Sequence, residues 1–224
     1  MTAITAITAQ NTVAVTAVYP LPPEAIVEQV RAVADDIGVD AVKIGMVGSA
    51  EAIDAVARAL DLVGDAPVVL DPVMIAESGA RLLDEDAEEA LRARLVPRAA
   101  VVTPNVPEAR VLARTSGDDL DGIARAIHAL GPRAVVITGG HRAEATDLFF
   151  DGTQLAEIPG ERVPDGASHG SGCTHSSALA ASLALGLEPL EAAREAKRIA
   201  AEAVRHGLRG LGSGAGPVDV FGGG

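Results

Sequence analysis

The sequence is poor in aromatic residues, which make up 2% of its 224 residues and include no tryptophan. The core must therefore consist of Val, Leu, Ile and Ala, and few rings are available to stack on a ligand. Tyr19 is the only tyrosine. No apolar run approaches the length of a membrane span, so we expect no membrane partner.

Cysteine and lysine are also scarce: Cys173 stands alone, and lysine occurs twice, at Lys43 and Lys197. One cysteine excludes an intramolecular disulfide framework and a cysteine-rich zinc site, and it fits a reducing cytoplasm. The formal net charge of -13 argues against nucleic acid and anionic membranes as partners, because both would repel the chain. An anionic substrate would need a binding site whose local charge differs from this overall negative charge.

A hydrophobic content of 48% over this length can bury a large core and favours one α/β domain over residues 1–224. Strand, helix and strand alternate, which is typical of a parallel sheet with crossover helices. Strands are predicted over 2–9, 12–18, 41–44, 67–70, 99–102 and 134–137, with a hairpin over 147–150 and 154–158. Helices are predicted over 22–37, 50–60, 84–95, 119–130 and 189–207, and one ends near 185.

A glycine-rich segment, residues 169–174, precedes one of these helices and reads His-Gly-Ser-Gly-Cys-Thr. Its two glycines let the backbone approach a ligand, and free N–H groups meet the positive helix end there, which predicts an anion site. Thiols near helix N-termini ionise readily, so Cys173 is a candidate base. The same six residues are explained equally well by a glycine turn at a helix start beside a buried, inert cysteine.

Polar residues follow several predicted strands, at the edge where open α/β sheets bind ligands. Gln10 ends the first strand, although a surface turn is the simpler interpretation. Asp71 follows the strand over 67–70 and could bind a metal or phosphate, or cap a turn. Asn105 and Glu108 are three residues apart at a helix start, where Glu108 could bind a ligand or complete a capping box.

Six motifs together resemble one known family. They are Gln10-Asn11-Thr12, Lys43-Ile44-Gly45-Met46, Asp71-Pro72-Val73-Met74, Thr103-Pro104-Asn105 through Glu108, Gly139-Gly140-His141 and His169 through Thr174. In this order they resemble hydroxymethylpyrimidine/phosphomethylpyrimidine kinase of thiamine biosynthesis, in the ribokinase-like superfamily. The resemblance covers the chain to Phe221. Sugar kinases of the superfamily have Asp in place of Cys173.

The resemblance implies a three-layer α/β/α sandwich with a mostly parallel central sheet. It also implies a cytoplasmic kinase, which we expect to be a homodimer, that uses ATP and Mg²⁺ to phosphorylate 4-amino-5-hydroxymethyl-2-methylpyrimidine and then its monophosphate. The implied anion hole is Gly170, Ser171, Gly172 and Cys173, with Cys173 near the substrate hydroxyl. The implied pyrimidine pocket is Gln10, Met46 and Val73. The implied nucleotide residues are Asn105, Glu108, Thr138 and Gly140, and the implied metal ligands are Asp71 and Glu108.

The chain departs from the family pattern in three ways. Thr138 replaces a usual Lys, which removes a positive charge from the nucleotide side, while Ser168 and Ser171 replace threonines and keep the hydroxyl. Family members also carry a strand, a Gly-rich loop and a helix before the segment that begins here at Met1. We therefore expect an in-frame extension upstream of Met1, and we expect the 224-residue form to be a poor and less stable catalyst.

Two other functions remain open from the sequence. Pyridoxal-type vitamin kinases share the Gly-Cys-Thr ending, although Gln10 and the motif at residues 71–74 favour a pyrimidine. A non-catalytic remnant that binds ligand or a partner subunit is the other alternative, and the missing N-terminal loop supports it.

Overall fold

The computed structural model describes residues 1–75, 82–84, 86–139, 145–163 and 167–222. The strands are β1 Ala6–Gln10, β2 Val15–Pro20, β3 Val42–Ile44, β4 Val68–Leu70, β5 Val101–Val102, β6 Ala134–Ile137, β7 Asp147–Phe150 and β8 Leu155–Ile158. The α-helices are α1 Pro23–Asp36, α2 Ala50–Leu60, α3 Ala87–Ala90, α4 Val106–Ala113, α5 Leu120–His128, α6 Ser171–Ala184 and α7 Pro189–Arg205. Most of the predicted elements are present, with ends that differ by a few residues.

The central sheet has six strands in the order β3-β4-β5-β6-β7-β8. The first four are parallel, and β7 and β8 are antiparallel to their neighbours, as expected for the predicted hairpin. Ile44 pairs with Leu70, and Leu70 pairs with Val102. The ends of these strands are therefore aligned, and the residues that follow them lie along one edge of the sheet.

Helices cover both faces of this sheet. Along β4, Val68 and Leu70 belong to the core packed by α1, α2, α4 and α5, whereas Val69 belongs to the core packed by α6 and α7. This alternation follows from the two-residue repeat of a strand, and all three side chains are buried. The structure thus confirms the three-layer α/β/α sandwich and the mostly aliphatic core.

The first two strands form a separate ribbon rather than part of the central sheet. β1 and β2 pair antiparallel with each other, with Ala6 opposite Pro20. Four residues connect them, too few for the crossover that a parallel pair needs. The Asn11 side chain accepts hydrogen bonds from the N–H groups of Val13 and Ala14 at 2.9 and 3.0 Å, which closes the turn.

The predicted helix over 84–95 is irregular. α3 covers four residues and continues as a π-helical turn over Leu91–Leu95 and a 3₁₀ turn over Val96–Arg98. Leu91 and Leu95 are buried, so the segment still packs against the core. Across the described residues, none of the helices combines the length and the apolar character that a bilayer crossing requires.

Candidate active site

The segment at residues 169–174 opens α6 through a left-handed glycine. Gly170 precedes the helix with a φ of 88°, a conformation that other residues rarely adopt. The N–H groups of Gly172 and Cys173 lie in the first helical turn, where no intrahelical acceptor exists. A Cβ at Gly172 would meet no atom within 4 Å, so the space beside this backbone is open.

Cys173 is exposed at this helix end. The interpretation of Cys173 as a buried residue is therefore wrong, and its role as a base stays a prediction. Its thiol belongs to the same helical turn as the N–H groups of Gly172 and Cys173. The arrangement supports an anion site with a thiol beside it.

Asp71 follows β4 and is buried, with 6% of its surface exposed. Its Oδ2 accepts a hydrogen bond from Ser176 Oγ at 3.0 Å and lies 3.5 Å from Lys43 Nζ. Ser176 belongs to α6, and its hydroxyl also contacts the carbonyl oxygens of Gly172 and Cys173. Asp71 is thus joined to the helix that carries the anion site, and its side chain bonds to other elements instead of capping its own turn.

Glu108 completes a capping box at the start of α4. Its N–H donates to Asn105 Oδ1, and its Oε2 accepts the Asn105 N–H, both at 2.9 Å. Its Oε1 accepts the Met74 N–H at 3.4 Å. The capping-box interpretation is therefore confirmed, and the ligand role of Glu108 stays a prediction.

The Glu108 carboxyl is also electrostatically unusual, because 93% of its residue surface is covered. Burial, followed by the negative charge of Asp71, raises the pKa of Glu108 to about 7, against the opposing hydrogen bonds from Asn105 and Met74. A cation bound near Glu108 would act in the opposite sense and favour the ionised form of its carboxyl.

Thr138 and Asn105 lie at adjacent strand ends and form a single parallel β-bridge. The Thr138 N–H donates to the Pro104 carbonyl oxygen at 2.8 Å. The structure therefore brings two of the predicted nucleotide residues together. Gly140, which is also assigned to the nucleotide, lies outside the described residues.

Gly139 is held where no side chain fits, because a Cβ there would overlap the backbone of Thr146. We expect Gly139→Ala to lower the melting temperature by about 5 °C or more, from an overpacking cost of about 2 kcal/mol. Gly172→Ala is the matched control, because its Cβ enters open space: we expect an unchanged melting temperature and reduced turnover. Calorimetric melting of both variants checks this, and equal melting temperatures would contradict it.

Gln10, on the ribbon, lies close to the segment at residues 169–174. Its Nε2 lies 3.5 Å from His169 Nε2, beside a cleft of about 220 Å³. The cleft is lined by Gln10, Asn11, Thr12, Val13, His169, Gly214 and Ala215. The structure thus brings Gln10, although exposed, to the segment that holds the predicted anion site.

Met46 and Val73 do not line this cleft. The Met46 carbonyl oxygen accepts the Thr5 hydroxyl at 2.8 Å, which ties the end of β3 to the base of the ribbon. Val73 lies beside Asp71, whose carbonyl oxygen accepts its N–H at 2.8 Å. The two residues are near the strand ends, but their role in a pyrimidine pocket stays a prediction.

Sequence reasoning missed a polar cluster under the same edge of the sheet, which contains Asp147, His175 and Lys197. Asp147 is fully buried and makes an ion pair with Lys197 at 2.6 Å. Burial opposes its ionisation, but His175, Lys197 and the Gly139 N–H together hold the pKa of Asp147 below its ordinary value. The one available signal was that Lys197 is one of only two lysines.

Comparisons with known proteins agree across nearly the whole chain. The sequence model of the family described as phosphomethylpyrimidine kinase matches residues 1–219. A Bacillus subtilis protein named hydroxymethylpyrimidine/phosphomethylpyrimidine kinase is 43% identical over 227 residues, which cover 99% of this chain and 83% of that protein.

Two solved structures are similar as well. A Bacillus subtilis pyridoxal kinase in complex with ADP has a TM-score of 0.87 and 36% identity, covering 98% of this chain and 85% of that one. A phosphomethylpyrimidine kinase from Clostridium difficile has a TM-score of 0.78 and 39% identity, covering 91% and 86%.

Proposed function

Because the chain belongs to the phosphomethylpyrimidine kinase family, we propose specific roles for its residues in the reaction of that family. The chain is an ATP-dependent kinase that phosphorylates 4-amino-5-hydroxymethyl-2-methylpyrimidine and its monophosphate in thiamine biosynthesis. The observation that carries the residue assignment is the exposed Cys173 thiol beside free N–H groups at the start of α6.

The anion segment, Gly170 to Cys173, stabilises the transferred phosphoryl group. Phosphoryl transfer depends on positioning and on charge stabilisation more than on covalent chemistry of the protein. The substrate hydroxyl oxygen forms a bond to the γ-phosphorus, the bond from that phosphorus to the ADP oxygen breaks, and Cys173 accepts the hydroxyl proton. The N–H groups of Gly172 and Cys173 donate to the phosphoryl oxygens as charge develops on them.

Asn105, Thr138 and Gly140 bind the nucleotide in this proposal. The β-bridge between Asn105 and Thr138 supports it, because it brings two neighbouring strand ends together at the edge that holds Glu108. Thr138 has a hydroxyl where members of the family usually have the charged side chain of lysine. Nucleotide binding at this position therefore depends on hydrogen bonds instead of a positive charge.

Asp71 and Glu108 are proposed to hold Mg²⁺ together with the phosphates of the nucleotide. In the ranges that the structure describes, no three His, Cys, Asp or Glu side chains converge. Magnesium commonly uses one or two carboxylates plus substrate phosphates, so this pair fits the ion. Burial and the negative charge of Asp71 raise the pKa of Glu108, and a bound cation would favour the ionised form of this carboxyl, whereas Asp71 already lies 3.5 Å from Lys43. When bound, the ion supplies charge neutralisation for the triphosphate.

Gln10, Met46 and Val73 are proposed to contact the pyrimidine. The amide of Gln10 both donates and accepts hydrogen bonds, which suits an aminopyrimidine ring, and it already lies beside His169. Met46 and Val73 supply apolar contacts near the ends of β3 and β4.

We also propose that residues 1–224 act as one kinase domain of a cytoplasmic homodimer. On the ribbon, Ile7 and Tyr19 are each 60% exposed, and such apolar surface supports association. The cytoplasm is the compartment that supplies ATP and the pyrimidine substrate.

The substrate assignment is tested by comparing two substrates at equal ATP and Mg²⁺. We expect kcat/KM for the hydroxymethylpyrimidine to exceed that for pyridoxal by about tenfold or more, that is by at least about 1.4 kcal/mol, since a site built to hydrogen-bond one ring leaves polar groups unpaired with another. ADP release measures both reactions. A preference for pyridoxal would favour the second candidate, a pyridoxal kinase, which the 0.87 TM-score supports. Pyrimidine binding without turnover would favour a non-catalytic protein.

A further inference from the structure

The cluster around Asp147 connects four elements of the fold. Asp147 opens β7, and its Oδ1 accepts the N–H of Gly139, which follows β6, at 2.7 Å. The same oxygen lies 2.6 Å from Lys197 Nζ on α7. The other oxygen, Oδ2, lies 3.5 Å from Nε2 of His175 on α6. One carboxylate thus contacts the end of the nucleotide strand and both helices behind the sheet.

This carboxylate is ionised although it is wholly buried. A buried carboxylate without a partner is costly, and Lys197, whose side chain is 15% exposed, supplies the opposite charge. The Lys197 side chain fits because residue 160 is a glycine, and a Cβ there would overlap the lysine. Because Lys197 balances the negative charge of Asp147, the ionised carboxylate is stable in the interior. Its Oδ1 therefore accepts the Gly139 N–H in a charge-assisted hydrogen bond, which is stronger than a hydrogen bond between neutral groups.

Gly139 is closely packed on one side, because a Cβ there would overlap the backbone of Thr146. It follows Thr138 and precedes Gly140, the two glycine-loop residues assigned to the nucleotide. On the other side of the carboxylate, His175 lies two residues after Cys173, and 4% of its surface is exposed. Asp147 therefore lies between Gly139 and the start of α6, which carries the anion segment.

We propose that Asp147 is a positioning residue for the nucleotide: its bond to the Gly139 N–H holds Thr138 and Gly139 at a set distance from α6. This inference rests on the proposed function, because it takes Thr138 and Gly140 as nucleotide residues. It assigns to Lys197 the role of keeping Asp147 ionised, and it gives neither residue a contact with substrate.

Two double variants separate this role from simple stability. Asp147→Asn/Lys197→Met removes both charges and keeps an acceptor for the Gly139 N–H, whereas Asp147→Leu/Lys197→Met removes both charges and the acceptor. Neither leaves an unpaired buried charge. We expect ADP to bind the Leu variant about tenfold more weakly than the Asn variant, as measured by titration calorimetry. We also expect KM for ATP to rise about tenfold with KM for the pyrimidine changed less than about threefold.

Arg198→Met is the matched control on α7, because Arg198 is adjacent to Lys197 and pairs with Glu195 at the surface. It should bind ADP as the unmodified chain does. Equal ADP affinity in the two double variants would overturn the inference, and so would a parallel rise in both KM values, which indicates general loosening. ADP titration needs no turnover, so a chain that fails to phosphorylate the pyrimidine but shows the ADP difference refutes the proposed function alone.

A measurement on the unmodified chain covers the case in which the Leu variant does not fold. The Gly139 amide should exchange its hydrogen slowly, with and without ADP, because it donates to a buried carboxylate. Exchange at the rate of an open loop would overturn the inference.

Discussion

Cys173→Ala is expected to lower turnover by about two to four orders of magnitude, the range for loss of a general base, while the chain stays folded. The thiol is exposed at the start of α6, so its removal leaves no cavity in the core. The Gly172 and Cys173 N–H groups remain in place, so substrate and ATP should still bind. Single-turnover kinetics with the hydroxymethylpyrimidine measure the loss in the chemical step.

Ser177→Ala is the matched control for this experiment, because Ser177 is an exposed small residue in the next turn of the same helix. Its turnover should stay within about twofold of the unmodified chain, as surface changes seldom matter more. If Cys173→Ala also turns over nearly normally, Cys173 is a surface residue with no part in proton transfer.

Glu108→Gln is expected to weaken the Mg²⁺ dependence of the reaction and, without metal, to stabilise the chain at alkaline pH. The pKa of Glu108 is raised to about 7, so its contribution to stability is fully present below the unfolded value of 4.5 and is lost as the pH rises through 7. Glutamine is neutral at every pH. The shift corresponds to at most about 3 kcal/mol in favour of the variant at pH 8, and the gain should disappear below about pH 4.5.

Thermal unfolding in EDTA at several pH values measures this gain, and a magnesium titration of turnover measures the other effect. The glutamine retains an acceptor for the Asn105 N–H, so most of the capping box survives. Glu51→Gln is the matched control: Glu51 is exposed at the start of α2, and its own backbone N–H and Ser49 lower its pKa, so its loss should bring no alkaline gain. A less stable Glu108→Gln at pH 8, or an unchanged magnesium titration, would show that Glu108 acts only as a helix cap.

Local patterns predicted the sheet and its helices well where one signal dominated. β6 was predicted at its observed bounds because a run of four buried aliphatic residues is flanked by turn residues. α2 was also predicted at its bounds, and Ser49 caps it by accepting the Ala52 N–H at 3.3 Å. Here the strand period and the cap chemistry depend on adjacent residues only, and so they can be read from the sequence.

The partners of the first two strands could not be predicted in the same way. Alternating β-branched residues indicate a strand at 2–9 but carry no information on which strand it pairs with. Within the described residues, the structure pairs β1 with β2 alone and leaves Ile7 and Tyr19 exposed. A short turn at Asn11 was the feature that decided this topology.

The buried charges of the site were also invisible to local patterns. Asp147 and Lys197 are 50 residues apart in sequence, and the aspartate begins a strand that otherwise reads as purely apolar. Lysine usage carried the missing information: each of the two lysines pairs with a buried aspartate, Lys43 with Asp71 and Lys197 with Asp147. In a chain with few lysines, each one is worth examining as a structural counter-ion.

The sequential order of the central sheet has a consequence for synthesis on the ribosome. Each of its strands pairs with the next strand in the chain, so the sheet can grow by short loop closures as the polypeptide emerges. Among the described residues, however, the helices that cover one face are α6 and α7, which come late in the chain. Until they arrive, Val69, Val101 and Val136 face water and Asp147 lacks its lysine. A nascent chain stalled before α6 therefore exposes this apolar face of the sheet, a type of surface that chaperones bind.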